Sequence, residues 1–229
     1  MICIPVAAAT QAEALQIIKR SAGLADALEL RMDLLADGNL RELLGAARSA
    51  GKAQVLVTNR PCPDFPERGE DKRIEVLMEA VLLQADFVDV ELSTAAVLRE
   101  KLIACVDKHG ERTRLIVSHH DFVKTPSRKI LFGIFRDCVE AGAQVVKIVT
   151  WARRVEDNLK VLDLIPYARR RNLPIIALCM GEKGRMSRIA APVLGSLFTF
   201  AALERGIESA PGQLTAGETR QIWRLLEGN

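Results

Sequence analysis

Short apolar, β-branched stretches and longer amphipathic stretches alternate along the whole chain, and this alternation constrains the fold more than any other feature. Strands are expected at 2–8, 27–33, 54–59, 87–92, 114–120, 143–150, 174–180 and 197–203. Helices are expected at 11–22, 40–50, 95–108, 127–141, 155–171 and 216–227. Two more are expected: one ending near 84 after a loop rich in proline and charge at 60–71, and a short one starting near 187. Eight strands, each followed by a helix in units of roughly 30 residues, are what a (β/α)8 barrel needs. An open doubly wound sheet would normally announce a glycine-rich turn after its first strand, and Ala7-Ala8-Ala9-Thr10 is not one. With 229 residues, 49% hydrophobic content and no linker-like stretch, the chain is expected to form a single-domain α/β fold, a (β/α)8 TIM barrel over 1–229.

Several function classes fall away on composition. A net charge of +3 with both signs interspersed is too weak for a nucleic-acid partner. Arg169, Arg170 and Arg171 close a helix, where cations complement the dipole. The five cysteines, Cys3, Cys62, Cys105, Cys138 and Cys179, form no CxxC pair. Four lie in strand or helix patterns as small apolar residues, which suggests a reducing, cytoplasmic setting. The opening MICIPVAAAT lacks a basic region and reads as a first strand, not a signal peptide. No apolar run approaches the ~20 residues that span a bilayer, so no membrane partner is expected. No His/Cys/Asp/Glu group has metal-ligand spacing.

In a barrel, chemistry belongs at the C-terminal strand ends. In AQVVKIVT, Lys147 sits inside an apolar strand expected to be covered on both faces. Desolvation there would lower its pKa and leave a free amine able to attack a carbonyl. The other reading is a lysine that reaches out at the strand end or pairs with a carboxylate. In ALELRMD, Glu29, Arg31 and Asp33 share one face while Leu28, Leu30 and Met32 take the other, toward the helices. Arg60 follows the third strand and Glu67 lies in the long loop after it. Asp89 and Glu91 alternate with Val88 and Val90, and at least one should face inward. Of three histidines, His119 and His120 are adjacent and must point to opposite sides. The neighbouring lysine strand makes one of them an acid–base candidate. His109, at a helix end, is expected to serve only the cap. Arg185 and Arg188 follow the seventh strand near a helix start, a natural place for an anion. Ser209-Ala-Pro-Gly-Gln213 suits a turn or a lid.

Taken together and in order, ELRMD, SHHDF, VVKI, SRIA, GSLFTF and SAPGQ resemble type I 3-dehydroquinate dehydratase over nearly the whole chain. The resemblance implies a (β/α)8 barrel that converts 3-dehydroquinate to 3-dehydroshikimate in the shikimate pathway, with a Schiff-base lysine, no metal or cofactor, and a homodimer. By motif, Lys147 resembles the Schiff-base lysine and His120 the proton-transfer residue. Glu29, Arg31 and Arg60 resemble groups that contact substrate oxygens, and Arg188 resembles the carboxylate-binding arginine. Phe200, Ser209 and Gln213 resemble residues that line and close the site. Glu67 matches a loop glutamate near the histidine, and Asp89 stands as a possible orienting group. Two departures are visible: Arg68 stands where the family usually has glycine, and His119 replaces the asparagine of SNHDF. The alternatives are another Schiff-base barrel, such as a class I aldolase, and a non-catalytic, ligand-sensing barrel.

Overall fold

The computed structural model describes residues 1–61 and 69–228. Among them, eight parallel strands run in the order expected of a barrel: β8 (Thr199–Phe200), β1 (Ile2–Val6), β2 (Ala27–Arg31), β3 (Gln54–Thr58), β4 (Phe87–Glu91), β5 (Arg114–Asp121), β6 (Val145–Trp151) and β7 (Ile175–Met180). The helices α1 (Gln11–Arg20), α2 (Leu40–Ala50), α3 (Glu70–Leu82), α4 (Ala96–His109), α5 (Arg128–Glu140), α6 (Asp157–Leu162), α7 (Leu164–Arg169), α8 (Arg185–Leu194) and α9 (Ala216–Glu227) follow the strands. This is a (β/α)8 TIM barrel, as the alternation in the sequence predicts.

The two-residue period of the strands divides the apolar residues into two cores. Leu28, Leu30, Val55, Val57, Val88, Val90, Val146 and Ile148 face outward and pack against the helices. Cys3, Ala27, Leu56, Phe87, Ile116, Val145, Ile176 and Phe198 fill the barrel interior. There Phe87 and Phe198 meet edge to face, with centroids 5.2 Å apart. This inner layer plugs the barrel from below, so polar side chains on the same face gather one and two rungs higher, toward the C-terminal mouth.

Several element ends lie one or two residues from expectation, as where β1 stops at Val6 and β2 at Arg31, and three differences shape the site. The helix expected at 155–171 is divided at Asp163 into α6 and α7, because Pro166 has no N–H to offer the Leu162 carbonyl. Helix α8 begins at Arg185, earlier than 187, after a 3₁₀ turn at Glu182–Gly184. The strand expected at 197–203 keeps only Thr199–Phe200. Beyond it, Ala202 bonds to the segment leading into α9, donating to Leu214 O at 2.9 Å and accepting from Ala216 N at 2.9 Å.

The β7–β8 seam is consequently not a continuous ladder. Leu197 N donates to Ile175 O at 2.8 Å. Further along the β7 edge, Ala177 N donates to Ser196 Oγ at 3.4 Å and Cys179 N to Ser187 Oγ at 2.8 Å. Gly181 N, just past the strand, donates to Pro211 O at 3.0 Å. Backbone donors that a strand would normally satisfy are thus met by two serines and a loop carbonyl. The seam is therefore where α8 and the 209–213 loop attach to the barrel.

Candidate active site

One rung above the apolar plug, Glu29, Thr58, Asp89, Ser118 and Lys147 point inward from β2 to β6, and all are buried. Lys147 is only 3% exposed. The covered strand read from the sequence is therefore present, but the lysine is not unaccompanied. Its Nζ lies 2.8 Å from Asp89 Oδ2 and 3.7 Å from Glu29 Oε1, and 4.6 Å from the Phe200 ring centroid. Glu29 accepts from Thr58 Oγ1 at 2.9 Å. Asp89 Oδ2 also takes Arg60 Nη2 at 2.7 Å. Arg60 Nη1 reaches Ser118 Oγ at 3.2 Å and Glu91 Oε1 at 3.2 Å. Asp33 holds Arg31 through two bonds, accepting from Nε on Oδ1 at 3.0 Å and from Nη2 on Oδ2 at 2.6 Å.

The charges in this wall fix one another. Burial works against ionisation of Asp89, but Arg60 and Lys147 outweigh it and hold the carboxyl far below the usual range. Burial likewise opposes the charge on Arg60, and Asp89 and Glu91 more than restore it. Arg31 follows the same logic with Asp33 and Glu29.

The register of β5 on β6 places Ser118 beside Lys147 and His120 beside Val149. Ser118 and His120 thus share the inward face, and His120 enters the cavity while His119 does not. Burial first, then the Arg60 and Lys147 charges, push the His120 pKa well below its ordinary value. The imidazole is neutral near pH 7 and able to accept a proton. Its Nδ1 lies 3.8 Å from Glu91 Oε1 and has no hydrogen-bond partner among the described residues. Phe122 stacks on its ring at 5.8 Å between centroids. His119 is half-buried on the other face, and burial lowers its pKa more than Asp121 and Glu91 raise it.

The opposite wall is built differently. Arg188, in the first turns of α8, is 3% exposed and has no carboxylate partner among the described residues. Among the described residues its guanidinium donates only to carbonyls, Phe200 O at 3.5 Å and Pro211 O at 3.2 Å, and its Nε has no partner. Burial lowers its pKa to about 10, so it still carries its charge at neutral pH. A buried cation without a counterion is expensive. An anionic ligand would remove that cost. Above it, Gln213 Oε1 accepts from Ser209 N at 3.0 Å and its Nε2 donates to Ser209 Oγ at 3.0 Å, which folds the loop over the mouth. Gly212 has φ +84° there, and a Cβ on it would come within 2.2 Å of Gly181 O. Only glycine permits that approach.

Lys147, His120, Glu29, Arg31, Arg60, Arg188, Phe200, Ser209 and Gln213 converge on one cavity of about 190 Å³. Asp89 sits just beneath it, bonded to Lys147. Arg185 is exposed and lies outside it, so of the two loop arginines only Arg188 belongs to the site. Glu67 lies outside the described residues. His109 ends α4 and its carbonyl accepts from Gln84 Nε2 at 2.7 Å. The sequence did not single out Thr58, Ser118, Phe122, Val149, Leu178 and Met180. The apolar members are indistinguishable from core in a covered strand, and Phe122 is visible only as the neighbour of His120-Asp121. Among the described residues, no group of three or more His, Cys, Asp or Glu is arranged to hold a metal ion, and no helix is long and apolar enough to cross a membrane.

The chain as a whole also resembles known proteins. The chain matches the model of the family described as "Type I 3-dehydroquinase" over residues 2–229. It is 31% identical over 230 residues to the 3-dehydroquinate dehydratase of Methanocaldococcus jannaschii, covering 99% of each chain. It is 37% identical over 205 residues to that of Methanopyrus kandleri, covering 88% of each. The crystal structure of the type I 3-dehydroquinate dehydratase of Clostridium difficile superposes with a TM-score of 0.85 at 25% identity, over 99% of this chain and 92% of that one.

Proposed function

Since the chain belongs to the type I 3-dehydroquinase family, a family of hydro-lyases, we propose that it dehydrates 3-dehydroquinate to 3-dehydroshikimate through a Schiff base on Lys147. The observation that carries the reading is the cavity itself. It holds an inward-facing lysine, a neutral imidazole on the neighbouring strand, and an uncompensated arginine opposite.

Arg188 takes the substrate carboxylate in a charge-assisted pair and so fixes the ring against the lysine wall. The Lys147 amine attacks the C3 carbonyl while His120 carries a proton from the nitrogen to the oxygen, giving a carbinolamine whose hydroxyl is protonated in turn and leaves as water, forming an iminium. Asp89, which keeps its charge and lies 2.8 Å from Nζ, balances positive charge on that nitrogen. The iminium acidifies the C2 proton, and neutral His120 removes it, leaving an enamine. The enamine electrons expel the C1 hydroxyl, which leaves as water after taking the proton from His120. Hydrolysis of the conjugated iminium then frees product and lysine. A single residue acting as base and then acid suits a syn elimination. Glu29, Arg31 and Arg60 address the remaining substrate oxygens, Phe200 covers the lysine, and Ser209 and Gln213 close the mouth. The Clostridium difficile structure contains covalently modified comenic acid, which supports covalent chemistry in a site of this kind.

We place the reaction in the shikimate pathway toward aromatic amino acids. The family resemblance supports a homodimer, which light scattering would test, and the four free thiols among the described residues, all buried, suit the cytoplasm. The decisive experiment adds borohydride together with 3-dehydroquinate. The expected result is inactivation and a mass adduct on the peptide containing Lys147. An adduct on another lysine, or none, rejects the covalent route.

A further inference from the structure

Arg188 can serve a carboxylate only if the first turns of α8 are held in one place, and nothing at the helix start does this in the ordinary way. Its N-cap is Gly184, with no side-chain cap. Two buried polar residues outside the cavity supply the missing constraint. Asn158, on α6 and fully buried, accepts from Ser187 N at 3.1 Å through Oδ1. Its Nδ2 donates to Val155 O at 2.7 Å and to Lys183 O at 2.6 Å. The amide orientation is forced, because the reverse would set N–H against N–H and oxygen against two carbonyls. Ser187 donates to Gly184 O at 2.7 Å and accepts from Cys179 N, on the open edge of β7, at 2.8 Å. One amide and one hydroxyl thereby tie together the β6 loop, the 3₁₀ turn, strand β7 and the residue preceding Arg188.

Burying such groups is worthwhile only when they are satisfied, and asparagine is a poor helix former. We infer that Asn158 and Ser187 are positioning residues that aim Arg188 at the substrate carboxylate. The inference rests on the carboxylate-binding role proposed above for Arg188.

A double-mutant cycle on the intact enzyme tests it. Asn158→Ala should raise KM for 3-dehydroquinate by about ten- to a hundredfold, the effect of a misplaced contact, with kcat within about twofold. In an Arg188→Ala background the same change should have almost no effect on KM, since the contact it aims is already gone. Ser187→Ala, which leaves Asn158 in place, should repeat the pattern and provides the test if Asn158→Ala does not fold. A KM that stays at the parental value in either folded variant, or an undiminished KM effect in the Arg188→Ala background, overturns the inference while leaving the role of Arg188 intact. An unchanged KM in Arg188→Ala alone removes that role and the inference with it.

Discussion

The two walls of the cavity solve the problem of buried charge in opposite ways. On the β2–β6 side the basic side chains all lie against carboxylates: Lys147 with Asp89 and Glu29, Arg60 with Asp89 and Glu91, Arg31 with Asp33. On the β7–β8 side Arg188 has only carbonyls among the described residues. The first arrangement holds reacting groups in fixed positions whether or not a ligand is bound. The second leaves a charge to be met by the ligand. A paired wall is suited to chemistry and an unpaired one to recognition, so substitutions on the two sides should separate kcat from KM.

The largest effect is expected at the proposed nucleophile on the paired wall. Lys147→Ala removes the proposed nucleophile and should lower kcat by at least about four orders of magnitude. It should also abolish the borohydride-trapped adduct while the protein still binds substrate. Turnover within tenfold of the parent, measured by the ultraviolet absorbance of the conjugated product, would break the assignment of chemistry to this wall.

Next come the adjacent histidines. His120→Ala should lower kcat by roughly two to four orders of magnitude, the usual size of a general acid–base contribution. The trapped imine should persist, because later steps need the proton carrier more than the initial attack does. His119→Ala, on the outward face, should cost stability or a small factor in rate. Parallel kinetics of the two variants decide the matter, and the reverse pattern would transfer the acid–base role to His119.

Arg188→Ala probes the unpaired wall. Loss of a hydrogen bond to a charged group amounts to about 1.5–3 kcal/mol, so KM should rise roughly ten- to a hundredfold with kcat changed much less. Arg188→Lys should recover little, since a point charge does not reproduce a planar fork. A collapse of kcat at unchanged KM would erase the distinction between the walls.

Much of this was legible in the sequence because it depends on period. The alternation Glu29-Leu30-Arg31-Met32-Asp33 assigns each residue a face without reference to any other part of the chain. Seven of the eight strands follow from similar local patterns; the period says only that His119 and His120 face opposite ways, and the preference for His120 comes from the motif resemblance. What was not legible depends on contacts between residues far apart. The pairing of Lys147 joins β6 to β4 and β2, so the strand alone leaves a solitary amine and a carboxylate-paired lysine both open and cannot name the partners. The shortness of β8 follows from the pairing of Ala202 with the approach to α9. Asn158 reads as an ordinary surface residue of a helix until Ser187, 29 positions later, is seen to donate to it. Pro166, by contrast, was a signal in plain view, and the division of α6 from α7 was available from it.

The smallest effect is also the most specific to the paired wall. In a well-hydrated site, a histidine near its ordinary pKa of 6.5 would be half protonated at pH 6.5 and would halve kcat/KM there. His120 is pushed well below that value, by burial first and then by Arg60 and Lys147. The neutral base should therefore persist, and kcat/KM should remain flat from pH 8 down through 6.5, with the acid limb lying lower. The sign for stability is the same. The unfolded chain takes up a proton on His120 near 6.5 while the folded one does not, so this residue's contribution is lost as pH falls below that value. Replacing the neighbouring cation, Arg60→Met, removes one of the charges that oppose protonation. It should shift the acid limb toward higher pH, whatever it does to the absolute rate. A kcat/KM profile measured at constant ionic strength reads this directly. A limb centred at 6.5 in the parent, or one that moves down in Arg60→Met, would mean that the wall does not govern the proton on His120.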